Sequence, residues 1–161
     1  MTQIDNKLVL RRSRIIIAVT AHILICSLAL YASSFLKSFA MIRYPHEFDA
    51  PNPVFPWLKD KWIFWPVVIV EVSLATRLLV GLWRKAFYKC LVNITSFASV
   101  LFFYRIFHHL AAPFAACKCL GVSDLFGGHL TVMESNISIG IIIFMLLSSC
   151  YIINNSVKNL E

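Results

Sequence analysis

Two thiols separated by one residue, Cys117-Lys118-Cys119, are the pair in this sequence best suited to chemistry. A Cys-x-Cys pair can close a small ring if its two Cα atoms lie within about 7 Å, and a strained ring is readily reduced. The charge of Lys118 favours the thiolate, which is the form that attacks a disulfide. Cys117 and Cys119 are therefore the candidate catalytic residues, for thiol–disulfide exchange.

Two other interpretations of this pair remain open. The pair can form an inert disulfide that holds its loop in place. It can also bind a soft ion such as Cu(I), with a third ligand from His108, His109 or Met133. The remaining cysteines are scattered and are expected to be small buried residues: Cys26, Cys90 and Cys150. We predict no resident metal and no cofactor, and the sequence does not decide whether the chain is an enzyme.

Glu71 and Arg77 are charged residues inside an apolar stretch. A carboxylate near the middle of a membrane must be neutral or paired, so Glu71 is expected to face the interior of a helix bundle. It can serve as a proton relay, a cation site or half of an ion pair, with Arg105 as the expected partner, or it can be purely structural. Arg77 lies closer to the opposite membrane face, where its long side chain can reach water.

A polar cluster precedes the cysteines. Tyr104 and His108 are four residues apart and share one helix face, as do Arg105 and His109. Such a cluster can assist proton transfer during exchange, or bind an anionic or quinone headgroup. Histidines at the end of a span can equally be interfacial residues without a specific ligand.

The elements that position these residues must lie in a membrane. Hydrophobic residues make up 59% of the chain and charged residues only 14%, with a mean hydropathy of +0.75. A soluble domain carries about 25% charged residues, so this composition excludes the soluble globular class. The net charge of +7 is explained by Lys and Arg beside membrane spans, and no nucleic-acid partner is predicted.

Four apolar stretches predict an all-α integral membrane protein, a four-transmembrane-helix bundle formed by residues 1–161 as a single domain. The first stretch covers about 33 Å as a helix, enough for a hydrocarbon core of about 30 Å. The predicted spans are residues 15–36, 62–83, 87–112 and 130–153. Four prolines exclude a continuous helix in the loop 37–61, and the cysteine pair falls in the loop 113–129.

Basic residues predict the orientation of the bundle. They are concentrated before the first span, at Lys7, Arg11, Arg12 and Arg14, and between the second and third spans, at Arg84, Lys85 and Lys89. The loop 113–129 holds only Lys118. This distribution favours both termini in the cytoplasm and both longer loops outside, on the oxidising side in bacteria.

Three segments resemble the DoxX-like/MauE superfamily of small four-span bacterial membrane proteins. They are Lys37 with Pro45 and Phe48, then Val70-Glu71-Val72-Ser73-Leu74, and then Cys117-Lys118-Cys119-Leu120-Gly121 followed by Asn136. Their order and spacing cover roughly residues 15–153. The chain departs from the family pattern at Ala75, where glycine is usual, at Lys118, where a small residue is usual, and at Leu120, where phenylalanine is usual.

The resemblance implies a role in maturing or assembling extracytoplasmic redox proteins. We therefore expect a multi-pass protein of the bacterial inner membrane, with the lipid bilayer and an extracytoplasmic or membrane protein as partners. Its expected function is thiol–disulfide handling through Cys117 and Cys119. The alternative is a non-enzymatic accessory subunit of a larger membrane complex, in which the pair is a static staple.

Overall fold

The structure, a computed structural model, describes residues 2–112 and 131–160, with side chains described for residues 13–112, 133 and 135–155. The described residues form four long helices and a short 3-10 helix at Pro45–Phe48, with no strand among them. The helices are α1 (Thr2–Arg43), α2 (Asp60–Trp83), α3 (Phe87–Ala111) and α4 (Thr131–Leu160). The prediction of an all-α chain is confirmed for this part of the chain.

Each helix contains a stretch that is long and apolar enough to cross a membrane. These stretches are Ser13–Arg43, Asp60–Trp83, Phe87–Ala111 and Ser135–Asn155. Their outward faces carry exposed large apolar side chains, for example Ile17, Leu28 and Leu147. A helix bundle that is apolar on the outside as well as in its core has the composition of a membrane bundle.

The first helix differs most from its predicted span of residues 15–36, because it continues to Arg43. It ends where Tyr44, which precedes Pro45, adopts a non-helical backbone with φ −130° and ψ 59°. Steric contact with a proline ring disfavours helical geometry in the preceding residue, so Pro45 sets this end. The extension brings Lys37 inside α1.

A tight turn joins α2 to α3. The amide of Ala86 donates to the Gly81 carbonyl at 2.8 Å, and the amide of Lys85 donates to the Leu82 carbonyl at 3.0 Å. These bonds form a Schellman motif, in which the residue after the cap adopts a left-handed conformation. Here that residue is Lys85, with φ 54°, a conformation that glycine adopts more easily.

The core of the bundle is a cluster of buried apolar residues from all four helices. The most buried large side chains in it are Ile23, Leu78 and Ile94. Small residues allow close approach between helices, and the Ser27 hydroxyl donates to the Ala75 carbonyl at 3.1 Å. Such contacts are typical of helix association in lipid, where small and polar residues replace the hydrophobic effect as the source of attraction.

The segment between α1 and α2 folds back against the bundle. Phe48 is buried and packs edge-on against Phe64 of α2, with ring centroids 5.3 Å apart. The Asn52 amide and the Leu58 carbonyl bond at 2.8 Å, and the Asp60 amide donates to the Ala50 carbonyl at 3.0 Å. We call the end of the bundle that carries this segment, residues 44–59, the loop end.

Candidate functional site

A buried ion pair joins α1 to the middle of α2. The Lys37 ammonium donates to Glu71 Oε1, and the Ser33 hydroxyl donates to the same oxygen at 3.3 Å. Ser33 and Lys37 are one helical turn apart and therefore face α2 together. Glu71 is 1% exposed and Lys37 is 5% exposed, so neither charge is solvated by water. Glu71 faces the bundle interior, as its apolar surroundings in the sequence require.

The expected partner of Glu71, Arg105, makes a different contact. Arg105 is buried, and its Nη2 donates to the carbonyl oxygen of Ser135 at 3.3 Å and to the Ser135 hydroxyl. Lys37 takes the place assigned to Arg105 because α1 continues as a helix through Arg43. The contact of Arg105 with Ser135 ties the last turns of α3 to the start of α4.

The second carboxylate oxygen of Glu71 has no hydrogen-bond partner among the described residues. Oε2 is buried and has no hydrogen bond to any group in the part of the chain that the structure describes. Buried polar atoms in proteins are nearly always hydrogen-bonded, and leaving one unpaired is costly. Oε2 is therefore an acceptor to which another molecule can donate.

Glu71 lies in the wall of a cavity of about 190 Å³ between the helices. Each of the four helices contributes four residues to the wall. Most of these are aliphatic or aromatic, and the polar ones are Ser33, Lys37, Glu71, Tyr104, Arg105 and Ser138. An apolar cavity with a few convergent polar groups is the usual form of a site for a small molecule.

A hydrogen-bonded network closes the loop end above this cavity. The buried Asn52 donates through Nδ2 to the Tyr104 hydroxyl at 2.9 Å and to Asp60 Oδ1 at 2.8 Å. Its Oδ1 accepts from the backbone amides of Val54 and Phe55, at 2.9 and 3.0 Å. Asn52 thus holds residues 44–59 against α3. Sequence reasoning missed it, although its position among prolines is typical of a turn-forming asparagine.

The predicted cluster of Tyr104, Arg105, His108 and His109 divides between two environments. Tyr104 and His108 contact each other, with ring centroids 6.2 Å apart, and His108 is buried. His109, the next residue along α3, is exposed. Only the first three residues can act together at the loop end.

Arg77 and the cysteine motif complete the predicted site residues. Arg77 is exposed on α2, away from the buried ion pair. Cys117, Lys118 and Cys119 lie outside the described residues, which stop at Ala112 and resume at Thr131. The chemistry of this motif therefore stays a prediction.

A second polar group lies deeper in the bundle. The buried His22 of α1 bonds through Nε2 to the Ser149 hydroxyl of α4 at 2.9 Å, and the thiol of Cys26 lies 3.6 Å from the same nitrogen. This hydrogen bond joins α1 to α4 in the interior of the bundle. Cys90 is buried as expected, but the expectation is wrong for Cys150, which is exposed on α4.

Among the described residues, no group of three or more His, Cys, Asp or Glu side chains is arranged to hold a metal ion. The ion pair, the cavity and the loop-end network are instead suited to binding an organic molecule and to holding the helices in register. Comparison with family models, with curated proteins and with solved structures gives no match. The assignment of a function therefore rests on the residues and contacts of this chain.

Proposed function

We propose that the chain is an inner-membrane protein that handles thiols and disulfides of an extracytoplasmic partner through Cys117 and Cys119. The observation that carries this proposal is the contact of Arg105 with Ser135, which ties together the two helices that flank the cysteine pair. Both flanking helix ends, Ala111 of α3 and Thr131 of α4, lie at the loop end. This supports an exchange reaction at that end of the bundle.

The proposed reaction is a two-electron exchange that needs no further oxidant within one turnover. A thiolate of the partner attacks one sulfur of the Cys117–Cys119 disulfide and forms a mixed disulfide. The second partner thiolate then attacks the mixed disulfide, so the partner becomes oxidised and both cysteines of this chain leave as thiols, each taking up one proton. Lys118 favours the anionic form of its neighbours and so speeds the departure of the leaving thiolate.

Two features of the sequence support a reaction that oxidises a partner outside the cytoplasm. The excess of basic residues before the first span and in the turn between α2 and α3 favours a cytoplasmic location for those segments. The loop end then faces outward, where disulfides persist. The resemblance to the DoxX-like/MauE superfamily supports maturation of an extracytoplasmic redox protein as the purpose of the exchange.

Thiol trapping tests the proposal. Cys119→Ser and Cys117→Ser each remove one thiol of the pair, so one of them is expected to accumulate a mixed disulfide with a partner protein that reductant dissolves. Cys150→Ser is the matched control, because Cys150 is an exposed cysteine of α4 outside the Cys-x-Cys motif. The Cys150→Ser variant should show the same level of mixed disulfide as the unmodified protein.

Absence of a mixed disulfide from both single variants, with partner maturation intact, contradicts thiol exchange. Stable co-purification with a larger membrane assembly that survives replacement of both cysteines would support the accessory-subunit alternative instead. In that case the pair is a static staple.

A further inference from the structure

We propose that the cavity beside Glu71 binds the hydroxyl-bearing head of a small, neutral, membrane-soluble molecule. This inference goes beyond the exchange of thiols and does not depend on the cysteine pair. It rests on three properties of the cavity. These are its volume and apolar wall, the Oε2 atom of Glu71 that no described residue hydrogen-bonds, and the edge of the cavity at the outer surface of α3.

The volume and the apolar wall of the cavity determine the size and polarity of the part of the ligand that fits inside it. A cavity of about 150 Å³ lined by apolar side chains holds benzene. The cavity here has about 190 Å³ and is walled mainly by apolar side chains such as Leu101, Ile142 and Met145. It therefore accommodates one six-membered ring with a short substituent.

The polar groups select the head of the ligand. A carboxylate oxygen only accepts hydrogen bonds, so the ligand must donate to Glu71 Oε2. Lys37 already balances the charge of Glu71, and Arg105, the other cation in the wall, donates to Ser135. A charged head would be poorly solvated in an apolar cavity. Within the described residues, the Tyr104 hydroxyl is bonded only to Asn52, as an acceptor, so it keeps a proton to donate. A hydroxyl head matches both groups, because it can donate to Glu71 Oε2 and accept from the Tyr104 hydroxyl.

The edge of the cavity indicates the route of entry. Val100 forms part of the cavity wall and is 66% exposed, within the apolar span of α3. A ligand can thus enter from the bilayer between the helices, and an apolar tail on its ring can remain in lipid. This geometry favours a membrane-soluble ligand over a water-soluble one.

Binding of matched probes to the purified full chain in lipid nanodiscs tests the proposal. The probes are para-propylphenol, the corresponding cyclohexanol, and the methyl ether of each, which has a similar shape but no donor. We expect the affinity of at least one hydroxyl compound to be about ten times that of its own ether or higher. The loss of one hydrogen bond to a charged acceptor produces a difference of this size. The ratio of the affinities for the phenol and the cyclohexanol shows whether the natural ligand carries an aromatic or an aliphatic ring. Binding of both hydroxyl compounds no tighter than their ethers would overturn the proposal.

Two phenylalanine variants locate the binding. Ala29→Phe fills the cavity from α1 without removing a polar group, and Val92→Phe adds the same ring to α3 at an exposed position outside the cavity wall. We expect affinity for the hydroxyl probe to fall about tenfold or more in Ala29→Phe and to be unchanged in Val92→Phe. Undiminished affinity in a folded Ala29→Phe variant overturns the proposal. If that variant does not fold, the comparison of hydroxyl and ether probes on the unmodified chain decides it.

Discussion

Lys37 of α1 and Glu71 of α2 form an ion pair whose side chains are 6% and 2% exposed, in a helix bundle that is apolar inside and out. Removing two charges from water is expensive, and their mutual attraction compensates for this only while both partners are present. The pair therefore fixes the register of α1 against α2, because a shift of one turn would separate the charges.

Loss of one partner is expected to be far more damaging than loss of both. Lys37→Met leaves a buried carboxylate without its cation, and Glu71→Leu leaves a buried ammonium. Each single variant should lose about 3–5 kcal/mol of unfolding free energy, whereas the double variant should lie much closer to the unmodified chain. Reversible unfolding in mixed micelles, followed by tryptophan fluorescence, measures all three changes.

Additive effects of the two substitutions would contradict this account of the pair. Arg77→Met is the matched control, because Arg77 is exposed on the same helix as Glu71. Its effect on the unfolding free energy should be small, since no buried partner loses its charge balance.

Gly81 is required by the close approach of α2 and α3. A Cβ atom added at Gly81 would overlap the Sγ atom of Cys90. Gly81→Ala should therefore cost about 1–3 kcal/mol of unfolding free energy. Gly140→Ala is the control, because a Cβ there meets no atom within 4 Å. That substitution should be neutral, or stabilise α4 by up to about 1 kcal/mol through the higher helix propensity of alanine.

The same contact predicts a rescue. Cys90→Ala removes the Sγ atom that the added methyl group meets, so Gly81→Ala should cost much less in a Cys90→Ala background. An undiminished cost in the double variant would show that Gly81 is needed for another reason. The unfolding free energies of the four chains in the cycle provide the measurement.

Lys85 occupies the left-handed position of the turn between α2 and α3. Glycine has no steric penalty there, whereas a residue with a Cβ loses about 1 kcal/mol. Lys85→Gly should therefore be more stable than Lys85→Ala by about 1 kcal/mol. Both variants lack the charge, so their difference in melting temperature isolates the backbone effect. Equal melting temperatures would contradict the assigned turn geometry.

Asp49 gives the loop end a dependence on pH. Hydrogen bonds from Lys61, at 2.6 Å, and from Lys59, at 3.3 Å, lower the pKa of the Asp49 carboxyl below its usual range. Because the pKa of Asp49 is depressed, its contacts stabilise residues 44–59 at pH values above the unfolded pKa of about 3.9. This stabilisation is lost as the pH falls through the pKa of the folded state.

A carbon-detected NMR titration of the Asp49 carboxyl measures this shift. The midpoint should lie below that of an unfolded peptide, and Lys61→Gln should raise it more than Lys59→Gln, because Lys61 is the closer partner. A midpoint at or above the peptide value would show that these ion pairs do not form in solution.

Hydropathy was sufficient to predict four helices and the need of Glu71 for a partner, but it misplaced that partner. Lys37 is charged and follows the most apolar part of the first span, so composition alone assigns it to the loop. Buried residues in α1 recur every three or four positions and continue without a break through Ser34, Lys37, Ala40 and Met41. In the sequence, the polar residues Ser27, Ser34 and Lys37 recur at the same helical spacing, and this spacing could have identified Lys37.

The contacts of Asn52 and the different burial of His108 and His109 could not be predicted from the sequence, for a different reason. The hydrogen bonds of Asn52 join residues 44–59 to Tyr104, a contact across 52 positions that depends on tertiary packing. His108 and His109 are adjacent in sequence, yet one is buried and the other exposed, because neighbouring helical residues point about 100° apart.

The reduction potential of the Cys117–Cys119 pair in the intact chain tests the central proposal most directly. Differential alkylation across a series of redox buffers, read by mass spectrometry, gives the fraction oxidised at each potential. The proposal predicts a reversible two-electron transition above about −300 mV, in the range of exchanging disulfides. A pair that remains bonded below that potential, or thiols that never form a bond, would contradict thiol exchange.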